Sequence, residues 1–514
     1  MRRRIHSAAF IASIIPSLAF AQTTPATNPL LPFTIAKDTT LLSQPLKSNG
    51  TVDYVAAVNI TLGKDVTPQN NGFVTLLQIV GTSNALLAGH ADEILKASGA
   101  QPSSSQWTPP PSEPNAAPND NITASRLFAL AQSAPWNPAD HLNWDAWLDA
   151  NQRPLNLARL ASRQPHFWIP LVASDEQTPL MSADRANTNV LHPLREIVQA
   201  LQLRAMRSLF KSNADSAWQD LDAAHRLSRQ FAQAPNSLSL RIAIAQDNVT
   251  LAADSQLIQS PHANLQLVRD VLSTLQKLPP FPNIMSSMRR KDIYNYPDAI
   301  QQMAISFENK WNNPKAPGGA ASTQMTLQTA GFHSPDWDRM LRYGNAFFDN
   351  LYMDTSTLSP EQSRKRSDDL DALLQAADHD RSKEDKNNPD GYLLPQKNES
   401  RDAYSDRLAR RLISALTPSL ASVQLLADRQ SKAMEFTILA CALEIYYRDT
   451  GTFPDSLATL IPKYIPAIPK DFSDKPLDYT HTKTSFRIFS LGLNNSPEEA
   501  AKNPSSSITI EINH

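Results

Sequence analysis

The residues able to do chemistry fall into a few separate groups. Ser208-Leu-Phe-Lys211 has the S-x-x-K spacing that places a lysine base one helical turn from a serine nucleophile. Lys483-Thr-Ser485 loosely suggests the lysine-bearing partner motif of such enzymes. The S-x-N element that should complete the set is missing, and a chain of this composition is expected to contain S-x-x-K by chance. Cys441 lies in the nearly all-apolar run Phe436–Tyr447, the setting of a buried structural thiol rather than of a nucleophile. Asp378-His-Asp380 and Glu384-Asp385 cluster oxygen donors, yet Lys383 stands where a calcium loop needs glycine, so a solvated loop is the better reading. Trp136, Trp144, Trp147 and Trp168 suit either the wall of a sugar or peptide groove or the core of amphipathic helices. Asn494, Glu498 and Glu499 are the weak candidates for holding a metal cation. The sequence has no HExxH, GxSxG, P-loop or CxxC pattern, so no catalytic residue and no cofactor is assigned.

The elements that must position these groups are mostly helices. Glycine is scarce (13) and proline abundant (39), which favours helix starts and stiff connections over glycine-rich loops. Tyr54 and Val58, then Phe73, Leu76, Leu77 and Val80, repeat at helical spacing, with Thr67 as the candidate cap of the second helix and Pro68 at its first position. Four amphipathic stripes follow: Leu194 to Leu209; Ala217, Leu221, Ala224 and Phe231; Ile242, Ala245 and Val249; and Leu265 to Leu278. The segment Ser212–Ala223 resembles a tetratricopeptide hairpin, but the helix starts do not recur at that repeat's period, which predicts an irregular helical bundle or hairpin body. After Pro418 a helix of about 30 residues runs to Asp449, ~45 Å long.

The N-terminus has the three parts of an export signal: Arg2-Arg-Arg4, an apolar stretch from Ala8 to Leu18, and Ala19-Phe-Ala21 before the expected cleavage at Gln22. An uncleaved anchor is the alternative. The stretch is shorter than the roughly 20 residues that span a hydrocarbon core, and Pro16 interrupts it. The protein is therefore expected to be periplasmic or secreted, with no stable membrane span after cleavage. A net charge of −2 gives no field to recruit nucleic acid. One cysteine cannot form an intramolecular disulfide, so packing must hold the fold together. The expected organisation is a signal peptide (1–21), an extended lead-in (22–50), an N-terminal helical unit (51–100), a Pro/Ser-rich linker (101–120), a helical body (121–420) and a C-terminal module (421–514).

That module has the clearest grammar. Gly451 ends the long helix and Pro454 prevents its resumption. A short helix spans Asp455–Leu460; Leu477–Thr480, Phe486–Ser490 and Ile508–Ile512 alternate as strands. The expected fold is mainly α, the body being followed by a small α+β module in which a long helix packs on a three-stranded antiparallel sheet. The string Leu443-Glu-x-Tyr-Tyr447-x-Asp449-x-Gly451-x-Phe453-Pro454-x-x-Leu457-x-x-Leu460-x-Pro462-x-Tyr464-Ile-Pro466-x-x-Pro469-x-Asp471, with Lys475-Pro-Leu477-x-Tyr479 and Phe489-Ser490-x-Gly492, resembles the globular head of the type II secretion major pseudopilins. It is also similar to the tail of a group of uncharacterised exported bacterial proteins that carry a Pro and Asn-Asn motif, like Pro68-Gln-Asn-Asn71, near the start. The resemblance implies a head fold. The ordinary export signal departs from the prepilin type, and Leu493–Glu499 lacks the glycine and most of the acidic ligands of the pseudopilin calcium loop. The expected function is an exported, non-catalytic envelope protein, protein-binding or structural, with envelope or secretion proteins as partners. The alternatives are a periplasmic hydrolase with an unrecognised site and an accessory of a type II secretion system.

Overall fold

The computed structural model describes residues 31–111, 124–175, 178–234, 236–282, 287, 291–312, 331, 334–351, 360–382, 395–396, 398–417, 420–472, 475–490, 492 and 508–513. The fold is mainly helical, with a small antiparallel sheet near the C-terminus. Helices α1 (Tyr54–Leu62), α2 (Gly72–Val80) and α3 (Ala91–Ser98) open the chain. The cap of α2 is Asn71, not Thr67: Asn71 Oδ1 accepts the Phe73 amide, while Asn70 Oδ1 accepts the Thr67 amide at 2.7 Å and closes the preceding residues into a turn. Thr67 and Pro68 thus belong to that turn, because a closer Asx cap was available. Residues 101–111 run extended, and the amides of Gln106 and Trp107 donate to the Ile79 carbonyl at the end of α2.

Helices α4 (Ala124–Ala131), α5 (Leu142–Ala150) and α6 (Gln152–Ala161) build an aromatic nest. Trp136 meets Trp144 edge-to-face at 5.8 Å, and Trp107 meets Trp147 in the same way. The indole N–H groups donate to backbone carbonyls, Trp136 to Leu203 and Trp147 to Thr108. Trp136, Trp144 and Trp147 are all buried, so core packing accounts for them. Trp168 lies elsewhere.

After the single turn α7 (Leu180–Ala183) come four long helices: α8 (Arg185–Phe210), α9 (Ala214–Phe231), α10 (Ser237–Gln259) and α11 (Leu265–Lys277). Asn213, Asn236 and Asn264 cap the last three, each side chain accepting the amide of the residue three positions on. Short connections stack α8, α9 and α10 side by side. The stripe expected on α10 is overturned. Ile242 and Val249 are half-buried and Ala245 is exposed, whereas Leu240, Ile244, Gln246, Asp247, Thr250 and Asp254 are buried. The core face of α10 carries polar side chains, which a search for apolar periodicity passes over.

Helices α12 (Asp292–Asn312), α13 (Trp337–Leu351), α14 (Pro360–Ser382) and α15 (Arg401–Leu416) form a second layer. The ring of Tyr296, fully buried with its hydroxyl donating to the Met340 carbonyl, lies directly on Gly344 of α13. A Cβ there would stand 2.0 Å from Tyr296 Cε1. Gly344→Ala should therefore destabilise the protein by about 1–3 kcal/mol through overpacking, although an exposed helical glycine would gain from the same change. Urea unfolding followed by circular dichroism checks this; an unchanged or raised midpoint would contradict it.

Helix α16 (Leu420–Thr450) packs on α10, α11 and α14. Pro418, after which that long helix is expected to run, lies outside the described residues. Gly451, at φ +83°, ends α16 and donates its amide to the Tyr447 carbonyl. Phe453 then stacks on Tyr447 and meets Phe486 edge-to-face. Strands β1 (Asp478–His481), β2 (Ser485–Ser490) and β3 (Ile508–Asn513) form an antiparallel sheet in that order. Phe486 sits opposite His481 on one side and Ile512 on the other. Ile508, Ile510 and Ile512 all point inward, as their alternation requires. One hydrophobic core runs without interruption from α2 to β3. No helix among the described residues is long and apolar enough to cross a membrane.

Candidate functional site

A cluster of titratable side chains lies buried between α9, α10 and α16. Helix α9 brings in His225 and, one turn later, Arg229; α10 brings in Asp247 and Asp254, two turns apart on one face; α16 brings in Gln430. His225 Nδ1 lies 2.6 Å from Asp247 Oδ1, and Nε2 lies 2.8 Å from Asp254 Oδ2. Carboxylates only accept, so both ring nitrogens donate and His225 is an imidazolium. Arg229 Nη1 donates to Asp247 Oδ1 at 2.7 Å, and Gln430 Nε2 to Asp247 Oδ2 at 2.7 Å.

The electrostatics follow from this wiring. Burial pushes the imidazole pKa down, but the carboxylates on either side outweigh it and raise it to about 9. Asp247 and Asp254 are both pushed up by burial, yet they end on opposite sides of the ordinary carboxylate value. His225 and Arg229 bring Asp247 below it. Asp254 has His225 without an arginine, and stays above it. Its Oδ1 has no partner among the described residues. The thiol of Cys441 is buried and pushed well up, by burial first and by Asp254 second, so it is no nucleophile.

A second network ties α6 and α8 to α9. Arg204 grips Asp220 with two bonds, Nε to Oδ2 at 2.8 Å and Nη2 to Oδ1 at 2.6 Å, and Arg159 Nε adds a third at 2.6 Å. Asp220 has no solvent exposure. Both networks link helices through charge-assisted bonds inside the core. General acid–base work needs an imidazole nitrogen within reach of a substrate. His225 has both nitrogens engaged, and neither it nor the two aspartates touches solvent. Among the described residues no group of three or more His, Cys, Asp or Glu side chains is arranged to hold a metal ion.

The residues singled out from the sequence are dispersed. Ser208 is half-buried near the end of α8, and Lys211 is exposed with Nζ 3.7 Å from Asp145. Lys483 and Thr484 lie in the β1–β2 turn, and Ser485 opens β2. Asn494, Glu498 and Glu499 lie outside the described residues, as do the side chains of Asp378-His-Asp380, residues 384–385 and the signal segment. Sequence reasoning missed the His225 cluster. Its available signal was the seven-residue spacing of Asp247 and Asp254 on one helix, together with His225 and Arg229 four apart on its neighbour.

Two open concavities lie at the C-terminal module. One, of about 530 Å³, is floored by Ile438 and Leu439 of α16 and walled by Gln276 and the turn Ile465–Pro469. Another, of about 560 Å³, runs beside β1 between Leu457 and Tyr479. Both include Ile468 and Pro469, so they adjoin across that turn. No protein-family model, curated protein or solved structure matches the chain.

Proposed function

We propose that this chain is an exported, non-catalytic envelope protein in which a helical body carries a pseudopilin-like head that binds another protein. The observation that carries the reading is the contrast between its two kinds of site. The acid–base cluster is sealed from solvent with both His225 nitrogens engaged, while two open, partly apolar troughs meet at Ile468–Pro469 on the surface. Chemistry on a small substrate needs a pocket onto which reactive groups converge. Broad troughs rimmed by polar residues, here Lys470, Asp478, Glu435 and Gln276, suit protein contact. The expected export signal and the head-like string are what support the envelope part of the reading.

The test is affinity capture from envelope extracts of two full-length proteins with a photo-crosslinker at exposed Lys470, one otherwise wild type and one carrying Ala467→Arg. One or more envelope proteins should crosslink to the wild type and be lost with Ala467→Arg. An identical set from both proteins would sink the reading. N-terminal sequencing of the captured protein should begin at Gln22; an intact Met1 start would refute cleavage.

A further inference from the structure

Strand β1 leaves one edge of the sheet open. The sheet order is β1-β2-β3, so β1 pairs with β2 alone. Thr482 N–H donates to the Ser485 carbonyl at 2.8 Å and closes the hairpin as a hydrogen-bonded pair. Such pairs alternate along an antiparallel ladder, so Thr480 with Arg487 and Asp478 with Phe489 are the next two. The backbone N–H and C=O groups of Tyr479 and His481 therefore turn away from β2. Among the described residues no other element bonds to them. The edge is open to solvent: Asp478, Thr480 and His481 are exposed and Tyr479 is half-buried.

The space beside this edge is the trough of about 560 Å³. Tyr479 and His481 stand opposite Ile488 and the buried Phe486, so their side chains share the inner face of the sheet. Tyr479 lines the trough with Leu457, Ile468, Pro469 and Leu477, and its hydroxyl donates to the Pro454 carbonyl at 2.9 Å. In a segment laid antiparallel on β1, each residue bonded to Tyr479 or His481 has its side chain on that same face, the trough side. The residues between them fall on the outer face with Asp478 and Thr480. Pro476, which has no N–H, and the turn at Lys483–Thr484 confine pairing to the length of β1.

Charge selects the partner. Asp455 and Asp478 both line the trough and are exposed, and neither has a lysine or arginine partner among the described residues. The nearest basic group to Asp455 is His481, with Nε2 3.6 Å from Oδ1. Lys470 is the one cation among the lining residues, against those two carboxylates. A free row of backbone groups takes an extended chain rather than a helix, and acidic side chains along it repel another acidic edge and attract a cation. We propose that β1 is the docking edge for an extended cationic segment of another protein, which adds to the sheet as an antiparallel fourth strand. About four of its residues pair with β1, its apolar side chains lie over the trough, and a lysine or arginine stands beside Asp478. The proposal rests on the reading of this chain as protein-binding and specifies the mode of contact.

The test uses the full-length protein with ¹⁵N-labelled histidine, following the His481 backbone amide resonance, assigned by its loss in His481→Gln. The probe is acetyl-Lys-Val-Thr-Val-Lys-amide, whose valines can stand opposite Tyr479 and His481 with a lysine opposite Asp478. It should move that resonance saturably. The same peptide with both valines N-methylated keeps its side chains but loses the bonded N–H groups, and should bind about tenfold more weakly. The peptide with glutamates in place of its lysines should bind about threefold more weakly at low salt. These comparisons need no variant to fold. The proposal is overturned if the lysine peptide leaves the resonance unmoved, or if either altered peptide binds as well. A resonance that moves with protein concentration alone would make the occupant a second copy of this chain, and overturns it too. In the crosslinking capture, His481→Pro removes an N–H that the β1–β2 ladder does not use. With its circular dichroism unchanged, it should lose the same proteins as Ala467→Arg. Proteins lost with Ala467→Arg but kept by His481→Pro overturn strand addition while the protein-binding reading stands; proteins kept by both sink that reading, and the peptide titration still judges the edge.

Discussion

Replacing His225 by leucine should destabilise the protein by about 3–5 kcal/mol, the cost of breaking a buried ion pair by removing one partner. The substitution leaves Asp247 and Asp254 buried on one face of α10 without the cation that joins them. Asp247 keeps Arg229 and Gln430. Asp254 loses His225 Nε2, which its Oδ2 meets at 2.8 Å, and its Oδ1 has no partner among the described residues, so it is the carboxylate most affected by the loss. Chemical denaturation followed by tryptophan fluorescence measures the effect; a loss below about 1 kcal/mol would show that the cluster does not hold α9 to α10. The double change His225→Leu with Asp254→Leu should be less damaging than the sum of the single changes, because the second removes the charge that the first strands.

The same cluster sets an alkaline limit. His225 rises from 6.5 in the unfolded chain to about 9 in the fold. Its contribution is complete below pH ~6.5 and is lost as pH rises through about 9, a swing of about 3 kcal/mol at 1.36 kcal/mol for each pH unit of displacement. The groups that bear on it are Arg229, Asp247 and Asp254, with Cys441 and Asp222 acting through Asp254. Stability measured from pH 6 to 10 should therefore fall in the wild type more than in His225→Leu. Parallel profiles would refute the linkage.

The second large effect is expected at Arg448, near the end of α16. Its Nε donates to Glu444 Oε1 at 2.6 Å, and its other nitrogens donate to the carbonyls of Ile258, Ser260 and Ala263 where α10 ends. Glu444 has no solvent exposure. Arg448→Leu leaves that carboxylate buried without its cation and takes the donor from the α10 carbonyls at once. A loss of about 3 kcal/mol or more is expected. Arg448→Lys should recover only part of it, since a single ammonium cannot span the carboxylate and three carbonyls. Because one core runs from the body into the sheet, unfolding should remain a single transition with a lowered midpoint. Two separated transitions in Arg448→Leu would mean that the C-terminal module melts by itself.

Much of the architecture could be read in advance because it rests on apolar periodicity and local stop signals. The stripes of α8, α9 and α11, the stop at Gly451 and the alternation of Ile508, Ile510 and Ile512 each needed only neighbouring residues to be recognised. The reading failed where the core is polar. On α10 the inward face is Gln246, Asp247, Thr250 and Asp254, and residue type alone assigns such side chains to water. Thr67 was a sound cap by type, yet Asn71 displaced it once the turn at residues 67–70 closed.

By itself, then, the sequence determined the mainly helical class, the small C-terminal sheet and a single cysteine placed in an apolar run. Those properties follow from spacing along the chain. Only the tertiary structure decided that His225 would be held between two aspartates, that Arg448 would close the end of α10, and that Leu457, Ile468 and Tyr479 would line one trough beside an open strand edge. Each joins residues from different elements, and a buried charge or an unpaired N–H is stabilised or left wanting by partners that only folding brings within reach.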